Sequence, residues 1–247
     1  HAIFRHLRYG ISPILSGLRS WDHYAATLPQ EMYAVSKHIA KKIKLHYGRD
    51  VEVLYPPART DFFHPTQKKE NFYLAVGRML HYKRFDLIIS AFNRLGLPLK
   101  IIGSGPEYKR LKLMAHKNIE FVGRVSDSIL RDYYSSAKAL IFPQQEDFGL
   151  VVVEALGCGT PVIAFRRGGG PEEIIQEGEN GLFFEEQTEL SLITAIRKFE
   201  DSDFAATACR TSVLQFSSEQ FRARVVSIVG NATKRFYGKN YLSHTCV

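Results

Sequence analysis

Short apolar runs alternate with longer amphipathic segments through the middle of the chain, from residue 72 onward. Strands are predicted at 72–77, 97–103, 119–123, 138–143 and 161–165, and helices at about 83–95, 106–116, 127–136, 149–157 and 171–177. The strand segments are apolar on both faces, which is typical of a parallel sheet covered by helices on each side. The pattern therefore predicts an α/β fold with a Rossmann-like parallel sheet.

The two ends of the chain show a different pattern. Residues 31–36 and 51–55 are predicted strands, and Ser36 is a predicted cap for a helix that ends at Tyr47. Two strands and one helix are too few to bury a core of their own. We therefore expect residues 1–55 to be the tail of an incomplete N-terminal α/β domain, with residues 56–71 as a linker. Residues 188–199 and about 203–232 are predicted to be two or three closing helices.

The net charge of +8 is concentrated at the two ends of the chain. Residues 1–50 carry 8 Lys and Arg against 3 Asp and Glu, and residues 201–247 carry 6 against 3. No basic stripe or nucleic-acid motif is present, so we expect no nucleic-acid partner. The basic ends fit an anionic membrane surface or a phosphorylated partner, and a solvated charged face explains them equally well.

Cysteine use and hydropathy bear on the compartment. The three cysteines have neither disulfide nor metal-ligand spacing, which favours reduced thiols in a cytoplasm. The first residues lack the apolar core of a signal peptide, and no run of about 18 apolar residues predicts a membrane span. We expect a cytoplasmic protein in peripheral contact with the inner face of the membrane.

Glycine turns follow three of the predicted strands. Gly77, Gly103 and Gly123 stand at their carboxyl ends, which is the edge where ligands bind in open α/β sheets. Arg78 follows the first of these glycines, and Lys83 begins the next helix. A guanidinium and an ammonium at this edge would hold a diphosphate, although an ordinary exposed pair is the alternative.

The segment EDFGLVVVE places Glu146 before a predicted helix and Glu154 inside it. The first N–H groups of that helix, from Phe148 to Leu150, would bind an anion, and Gly149 has no side chain to obstruct it. A buried carboxylate needs hydrogen bonds, and a ribose diol would supply them to Glu154. The alternative is an ordinary surface Glu146 together with a Glu154 that pairs with an Arg or Lys of the core.

Two further glycine motifs carry less information. Gly103 and Gly105 match only part of the dinucleotide fingerprint, because Tyr108 stands at the third glycine position, which disfavours a dehydrogenase. The segment 168–170 lacks the ending of a P-loop, so we interpret it as a flexible turn. No His, Cys or Asp cluster has metal-ligand spacing, and no metal is expected.

Taken together, these segments resemble family 4 of the retaining glycosyltransferases, which have the GT-B fold. The resemblance covers about residues 21–225 and includes the pair of glutamates separated by seven residues. It is carried by AVGRMLHYKRFDLIISAF, IIGSGPEYKRL, IEFVGRVSD, FPQQEDFGLVVVEALGCGTPVIAFRRGG and EEIIQEGENGLFF. Within that family, the sequences of these motifs are similar to those of bacterial and archaeal mannosyltransferases that build O-antigens and related polysaccharides.

The resemblance implies a role for each candidate residue. The catalytic set would neutralise the leaving diphosphate and hold the sugar: Arg78, Lys83 and Glu146. The donor-binding set would comprise Gly77, Gly103, Val122, Val125, Phe148, Gly149, Leu150 and Glu154. Within it, backbone near Val122 and Val125 would meet the base, and Glu154 would bind the ribose. The family is usually metal-independent, which implies no cofactor, and the resemblance to mannosyltransferases implies a GDP-mannose donor.

The resemblance also assigns the domains. Residues 1–55 would be the remnant of an acceptor-side domain, 72–217 the nucleotide-sugar-binding domain, and 218–247 a last helix that returns towards the N-terminal part. The implied activity is transfer of a hexose, mannose, to a polysaccharide or polyprenyl-linked acceptor with retention of configuration. Two alternatives stay open: a donor-binding subunit that needs a separate N-terminal chain, and a non-catalytic remnant.

Overall fold

The computed structural model describes residues 2–237 of the chain. These residues form two compact units, and the division falls between Val53 and Leu54. The assignment of the first unit to an acceptor-side domain stays a prediction.

The first unit contains two helices and two very short strands. Helix α1 spans Ala2–Ala25, strand β1 Tyr33–Ala34, helix α2 Lys37–Tyr47 and strand β2 Glu52–Val53. The strands pair in parallel, with Tyr33 opposite Glu52. The Ser36 side chain accepts a hydrogen bond from the Ile39 N–H at 3.1 Å, so the predicted cap of α2 is confirmed. Both strands are shorter than predicted, and α1 was not predicted because Gly10, Pro13 and Gly17 interrupt its pattern.

The second unit is a six-stranded parallel sheet covered by helices. Its strands are β3 Tyr73–Val76, β4 Leu99–Ile102, β5 Ile119–Gly123, β6 Leu140–Phe142, β7 Val162–Phe165 and β8 Gly181–Phe184. Its helices are α3 Phe85–Leu95, α4 Tyr108–Met114, α5 Asp127–Ser136, α6 Leu150–Gly157, α7 Pro171–Ile174, α8 Glu189–Glu200, α9 Ala206–Ser212 and α10 Ser218–Tyr237. Short 3₁₀ turns occupy His81–Lys83 and Leu214–Phe216.

The strand order is β5-β4-β3-β6-β7-β8, and every neighbouring pair is parallel. The chain builds outward from β3 in one direction and then returns to place β6 on the other side of β3. This reversal between β3 and β6 is a topological switch point, where open α/β sheets bind their ligands outside the carboxyl ends of the strands.

Two apolar clusters lie on opposite faces of the sheet. Along β3, Tyr73 and Ala75 belong to one cluster and Leu74 to the other, as the alternation of side chains in a strand requires. The first cluster includes buried residues of α3 and α8, and the second includes residues of α6 and α9. The predicted Rossmann-like parallel sheet with helices on both faces is therefore confirmed.

Strand β8 is the element of this sheet that the pattern did not predict. It has four residues and begins with Gly181, which lowers its strand signal. A side chain at this position would bring its Cβ to 2.2 Å from the Val162 carbonyl oxygen on β7. Glycine is thus required by the close approach of the neighbouring strand, which local periodicity does not reveal.

Within residues 2–237, no helix combines the length and the apolar character needed to cross a membrane. Cys158 and Cys209 are buried free thiols, and Cys246 lies outside the described residues. Of the predicted C-terminal segment 218–247, residues 238–247 also lie outside them, and its return towards residues 1–55 stays a prediction.

Candidate functional site

The turns after β3, β4 and β5 are packed against one another at the carboxyl edge of the sheet. The Gly77 N–H donates to the Ile102 carbonyl at 3.0 Å, and the Gly103 N–H donates to the Gly123 carbonyl at 2.8 Å. Gly103 has a φ of 132°, and a Cβ there would lie 2.0 Å from the Gly77 carbonyl oxygen. Contact between two turns therefore explains Gly103, and whether the donor also lies against it stays a prediction.

Lys83 and Glu146 meet across the switch point. Lys83 ends the 3₁₀ turn that follows β3, and Glu146 lies in the loop that follows β6. The Lys83 ammonium forms an ion pair with the Glu146 carboxylate, and their side chains are 15% and 31% exposed. The structure thus brings together two predicted site residues that are 63 positions apart.

Arg78 has a different environment at the same edge. It follows Gly77 and is exposed. Its guanidinium forms no ion pair with any residue in the part of the chain that the structure describes. An unpaired, always charged guanidinium beside the Gly77 turn remains available to an anionic ligand.

Helix α6 presents unused backbone donors at this edge. The N–H groups of Phe148, Gly149 and Leu150 donate to no residue among those described. Gly149 precedes the helix with φ 102° and ψ 57°, a left-handed conformation that favours glycine. The Phe148 side chain is 5% exposed and packs on Tyr55 and Phe216 with ring centroids 5.7 and 5.3 Å away. Its ring anchors the loop, so a ligand has only its backbone to bind.

The glycine run 168–170 is the turn before α7, as predicted, but it is buried and hydrogen-bonded to the loop that carries Glu146, so it acts as a clamp and not as a flexible segment. The Glu146 N–H donates to the Gly168 carbonyl at 2.7 Å, and the Gly170 N–H donates to the Glu146 carbonyl at 2.9 Å. A Cβ on Gly170 would lie 2.3 Å from the Phe148 Cα. The run after β7 therefore holds the loop that carries Glu146. Three consecutive glycines, starting three positions after the end of the buried strand β7, were the signal that could have indicated this close approach.

Glu154 lies on α6 with the hydroxyl of Tyr134, on α5, as its partner. Tyr134 donates to Glu154 Oε2 at 3.1 Å. Burial raises the pKa of Glu154 to about 7, against the opposing effects of the Tyr134 hydrogen bond and the Arg59 charge. The alternative in which a core Arg or Lys pairs with Glu154 is wrong, because no ion pair to it is present in residues 2–237. The carboxylate is confined without a neutralising cation.

Val122 and Val125 flank the carboxyl end of β5. Both are half-buried and pack against the apolar cluster that contains Phe148. Gly123 between them has a φ of 86°, and a Cβ there would meet open space. Their contact with a base stays a prediction.

Two other features of the second unit lie apart from these residues. A cavity of about 540 Å³ is lined by residues of 60–61 and of the segment from Arg210 to Arg222, which include none of the predicted site residues. Across the described chain, no group of three or more His, Cys, Asp and Glu side chains is arranged to hold a metal.

Comparison with known proteins shows which family and which relatives this chain resembles. The family described as Glycosyl transferases group 1 matches residues 58–212, which is more than half of the chain. An uncharacterized glycosyltransferase of Methanocaldococcus jannaschii is 32% identical over 172 residues, 68% of this chain and 48% of the relative. O-antigen chain mannosyltransferase C of Escherichia coli is 24% identical over 201 residues, 75% of this chain and 53% of the relative. The chain thus spans about half the length of these curated relatives.

The solved structures agree on the fold. HepE from Anabaena, crystallised with UDP and glucose, matches with a TM-score of 0.73 at 17% identity, over 83% of this chain and 64% of HepE. At that identity the likeness concerns the fold alone, and it places the parallel sheet among GT-B structures. The matched family segment contains every residue of the predicted catalytic and donor-binding sets.

Proposed function

Because the chain belongs to the glycosyl transferases group 1 family, we propose that it takes part in transfer of mannose from GDP-mannose to a saccharide or polyprenyl-linked acceptor. The proposal places it in family 4 of the retaining enzymes, so the anomeric configuration is retained. The observation that carries it is the convergence of Lys83, Glu146 and the start of α6 at the switch point of the sheet.

The first requirement of such a transfer is stabilisation of the leaving group. As the bond between the sugar C1 and the diphosphate breaks, negative charge develops on the diphosphate oxygens. The acceptor hydroxyl oxygen bonds to C1, and its proton passes to an oxygen of the leaving diphosphate. Arg78 and Lys83 would offset that charge, together with the unused N–H groups of Phe148, Gly149 and Leu150. Donors already in place where charge develops are the strongest general source of catalysis.

The two glutamates would hold the two sugars of the donor. Glu146, beside the cation, would accept hydrogen bonds from hydroxyls of the transferred sugar, and its pairing with Lys83 would be exchanged for these contacts and the diphosphate. Glu154, which has a carboxylate without a cation, would accept the hydroxyls of the ribose. Hydrogen bonds to a charged acceptor are roughly twice as strong as neutral ones.

The donor is the finer part of the proposal. The mannosyltransferase of Escherichia coli among the relatives favours mannose, and the sequence resemblance favours GDP. HepE, which was crystallised with UDP and glucose, has the same fold and represents the competing donor. We expect no metal to be required, since the cations that face the diphosphate are side chains.

Titration calorimetry with GDP, UDP, GDP-mannose and UDP-glucose, each with and without EDTA, tests donor choice and metal dependence. We expect GDP to bind more tightly than UDP, with no change on chelation. Equal or tighter binding of UDP would overturn the guanine assignment. Failure of every nucleotide to bind would favour the non-catalytic alternative.

Transfer is tested separately with mannoside acceptors and proton NMR of the anomeric linkage. An α-linked product from GDP-α-mannose supports retention, and a β-linked product contradicts it. Tight donor binding without any product would favour a donor-binding subunit that acts with a separate N-terminal chain.

We further propose a peripheral contact with anionic membranes through the first unit. Its exposed apolar side chains include Ile14, Leu18 and Trp21 on α1, and residues 1–50 carry a net charge of +5, from 8 basic and 3 acidic residues. Apolar and basic side chains together favour an anionic lipid surface. Co-sedimentation should occur with anionic vesicles at low salt and be lost with zwitterionic ones. Equal sedimentation with both would contradict the contact.

A further inference from the structure

The two oxygens of the Glu154 carboxylate have different environments. Oε2 accepts the Tyr134 hydroxyl at 3.1 Å. Oε1 accepts no hydrogen bond from any described residue, and it is not fully buried, so solvent can reach it. One oxygen is therefore held by the protein, and the other is accessible to a ligand.

Tyr134 is itself held in one position. It is 0% exposed, and its ring packs edge-on against Phe63 with the centroids 5.8 Å apart. Its carbonyl accepts the Thr160 hydroxyl, which ties α5 to the segment after α6. A buried aromatic ring that is packed on every side has little rotamer freedom, so its hydroxyl is a fixed point.

We propose that Tyr134 is a positioning residue that holds Glu154 Oε2 and thereby directs Oε1 towards the ribose hydroxyls of the nucleotide. This rests on the proposed function, which gives Glu154 the ribose as its ligand. A phenol serves this purpose better than a lysine or arginine, because it orients the carboxylate and leaves its charge for the ligand. A carboxylate that keeps its charge is a stronger acceptor for a diol.

The charges around Glu154 make its affinity for a diol depend on pH. Tyr134 and Arg59 favour the ionised carboxylate, whereas burial and the charge of Asp127 oppose it, and the buried Cys158 thiol lies nearby. The resulting pKa is about 7. The ionised form accepts two hydroxyls, so ribose recognition should strengthen as the pH rises through that value. Loss of the Tyr134 hydroxyl should move the midpoint to higher pH.

The test compares GDP with 2′,3′-dideoxy-GDP, binding each to the full chain from pH 6 to 9 by calorimetry. We expect Tyr134→Phe to weaken GDP binding about 3- to 10-fold and leave the dideoxy analogue unchanged, the loss expected for one hydrogen bond. The matched control is Tyr133→Phe, since the Tyr133 hydroxyl bonds to no residue in the described chain. Glu154→Gln and the double variant complete a mutant cycle, in which non-additive effects are expected.

Each outcome separates the inference from the proposed function. A wild-type protein that binds both nucleotides equally would overturn the ribose assignment of Glu154 and the role of Tyr134 with it. The role of Tyr134 alone would be overturned if Glu154→Gln lost the preference for GDP over the dideoxy analogue while Tyr134→Phe kept it, and if Tyr134→Phe also kept the wild-type pH midpoint of GDP binding. An equal loss for both nucleotides would indicate packing and also overturn it. Thermal unfolding checks each variant, and Tyr134→Met replaces the Phe variant if that one does not fold.

Discussion

The two glutamates of one motif occupy opposite electrostatic environments. Glu146 lies in a loop, and its charge is balanced by the Lys83 ammonium. Glu154 lies on a helix eight positions later, and its only described partner is a neutral phenol. The same side chain is therefore balanced by a cation at one end of the motif, and at the other it is partly buried with no ion-pair partner and a raised pKa.

This difference explains how one motif can bind two parts of a donor. A paired carboxylate with a lysine beside it suits a region where a diphosphate and a sugar meet, because the pair can separate and engage both. An unpaired carboxylate suits hydroxyl groups, which do not compensate its charge but do satisfy its oxygens. Confinement without a cation is costly in the free protein, and Glu154 has the raised pKa that this cost produces.

The largest effect should come from the clamp that supports Glu146. Gly170→Ala places a Cβ against the Phe148 Cα and the Asp147 carbonyl, both backbone atoms that cannot move aside. We expect a loss of about 3 kcal/mol in the free energy of unfolding, together with loss of nucleotide binding. Urea denaturation measures the first and calorimetry the second. The control is Gly230→Ala, at a helix position with open space around it, and equal behaviour of the two variants would refute the clamp.

The cations at the Glu146 end are the next test. Lys83→Ala and Arg78→Ala each remove a charge-assisted contact and should weaken diphosphate binding by about 1.5–3 kcal/mol, with the fold intact. Lys138→Ala is the matched control, because Lys138 pairs with Glu200 at 2.6 Å just before β6, at the opposite edge of the sheet. Wild-type affinity in both site variants would show that the phosphate assignment is wrong.

The Glu154 end predicts a dependence of stability on pH. The folded pKa of about 7 lies above the ordinary value of 4.5, so between these values the folded state keeps a proton that the unfolded state has lost. Stability from this group therefore falls as the pH rises from 4.5 to 7. Glu154→Gln removes the titration. As the pH rises from 4.5 to 8, the free energy of unfolding of this variant should increase by about 1–3 kcal/mol relative to that of the wild type. Urea denaturation at each pH measures this. A difference in unfolding free energy between variant and wild type that stays constant from pH 4.5 to 8 would contradict the raised pKa.

The smallest effect should come from Arg59, which favours ionised Glu154 from a distance. It pairs with Asp127 at 2.6 Å, but both side chains are more than half exposed, so the pair itself contributes little. Arg59→Gln should lower the free energy of unfolding by less than about 1 kcal/mol and raise the pKa of Glu154. The midpoint of the pH dependence in the previous experiment measures this, and a downward movement would contradict it.

Much of the fold follows from local patterns. The apolar runs predicted five of the six strands of the second unit, and Ser36 was predicted as a cap because an N-cap side chain bonds an N–H only three residues away. The first unit was harder, since α1 has glycines and a proline in its pattern. Strand β8 was missed because its first residue is explained only by the β7 backbone beside it.

The sequence by itself determined the alternation of strands and helices and the chemistry available at the strand ends, because periodicity and turn glycines are properties of neighbouring residues. Only the tertiary structure decided the partners: Lys83 for Glu146, Tyr134 for Glu154, and the run 168–170 for the loop between β6 and α6. These contacts join residues 20 or more positions apart, with Gly170 N–H to the Glu146 carbonyl at 24 positions. Such partners depend on which strands are neighbours and on how the helices pack over them, and hydrophobic periodicity predicts neither.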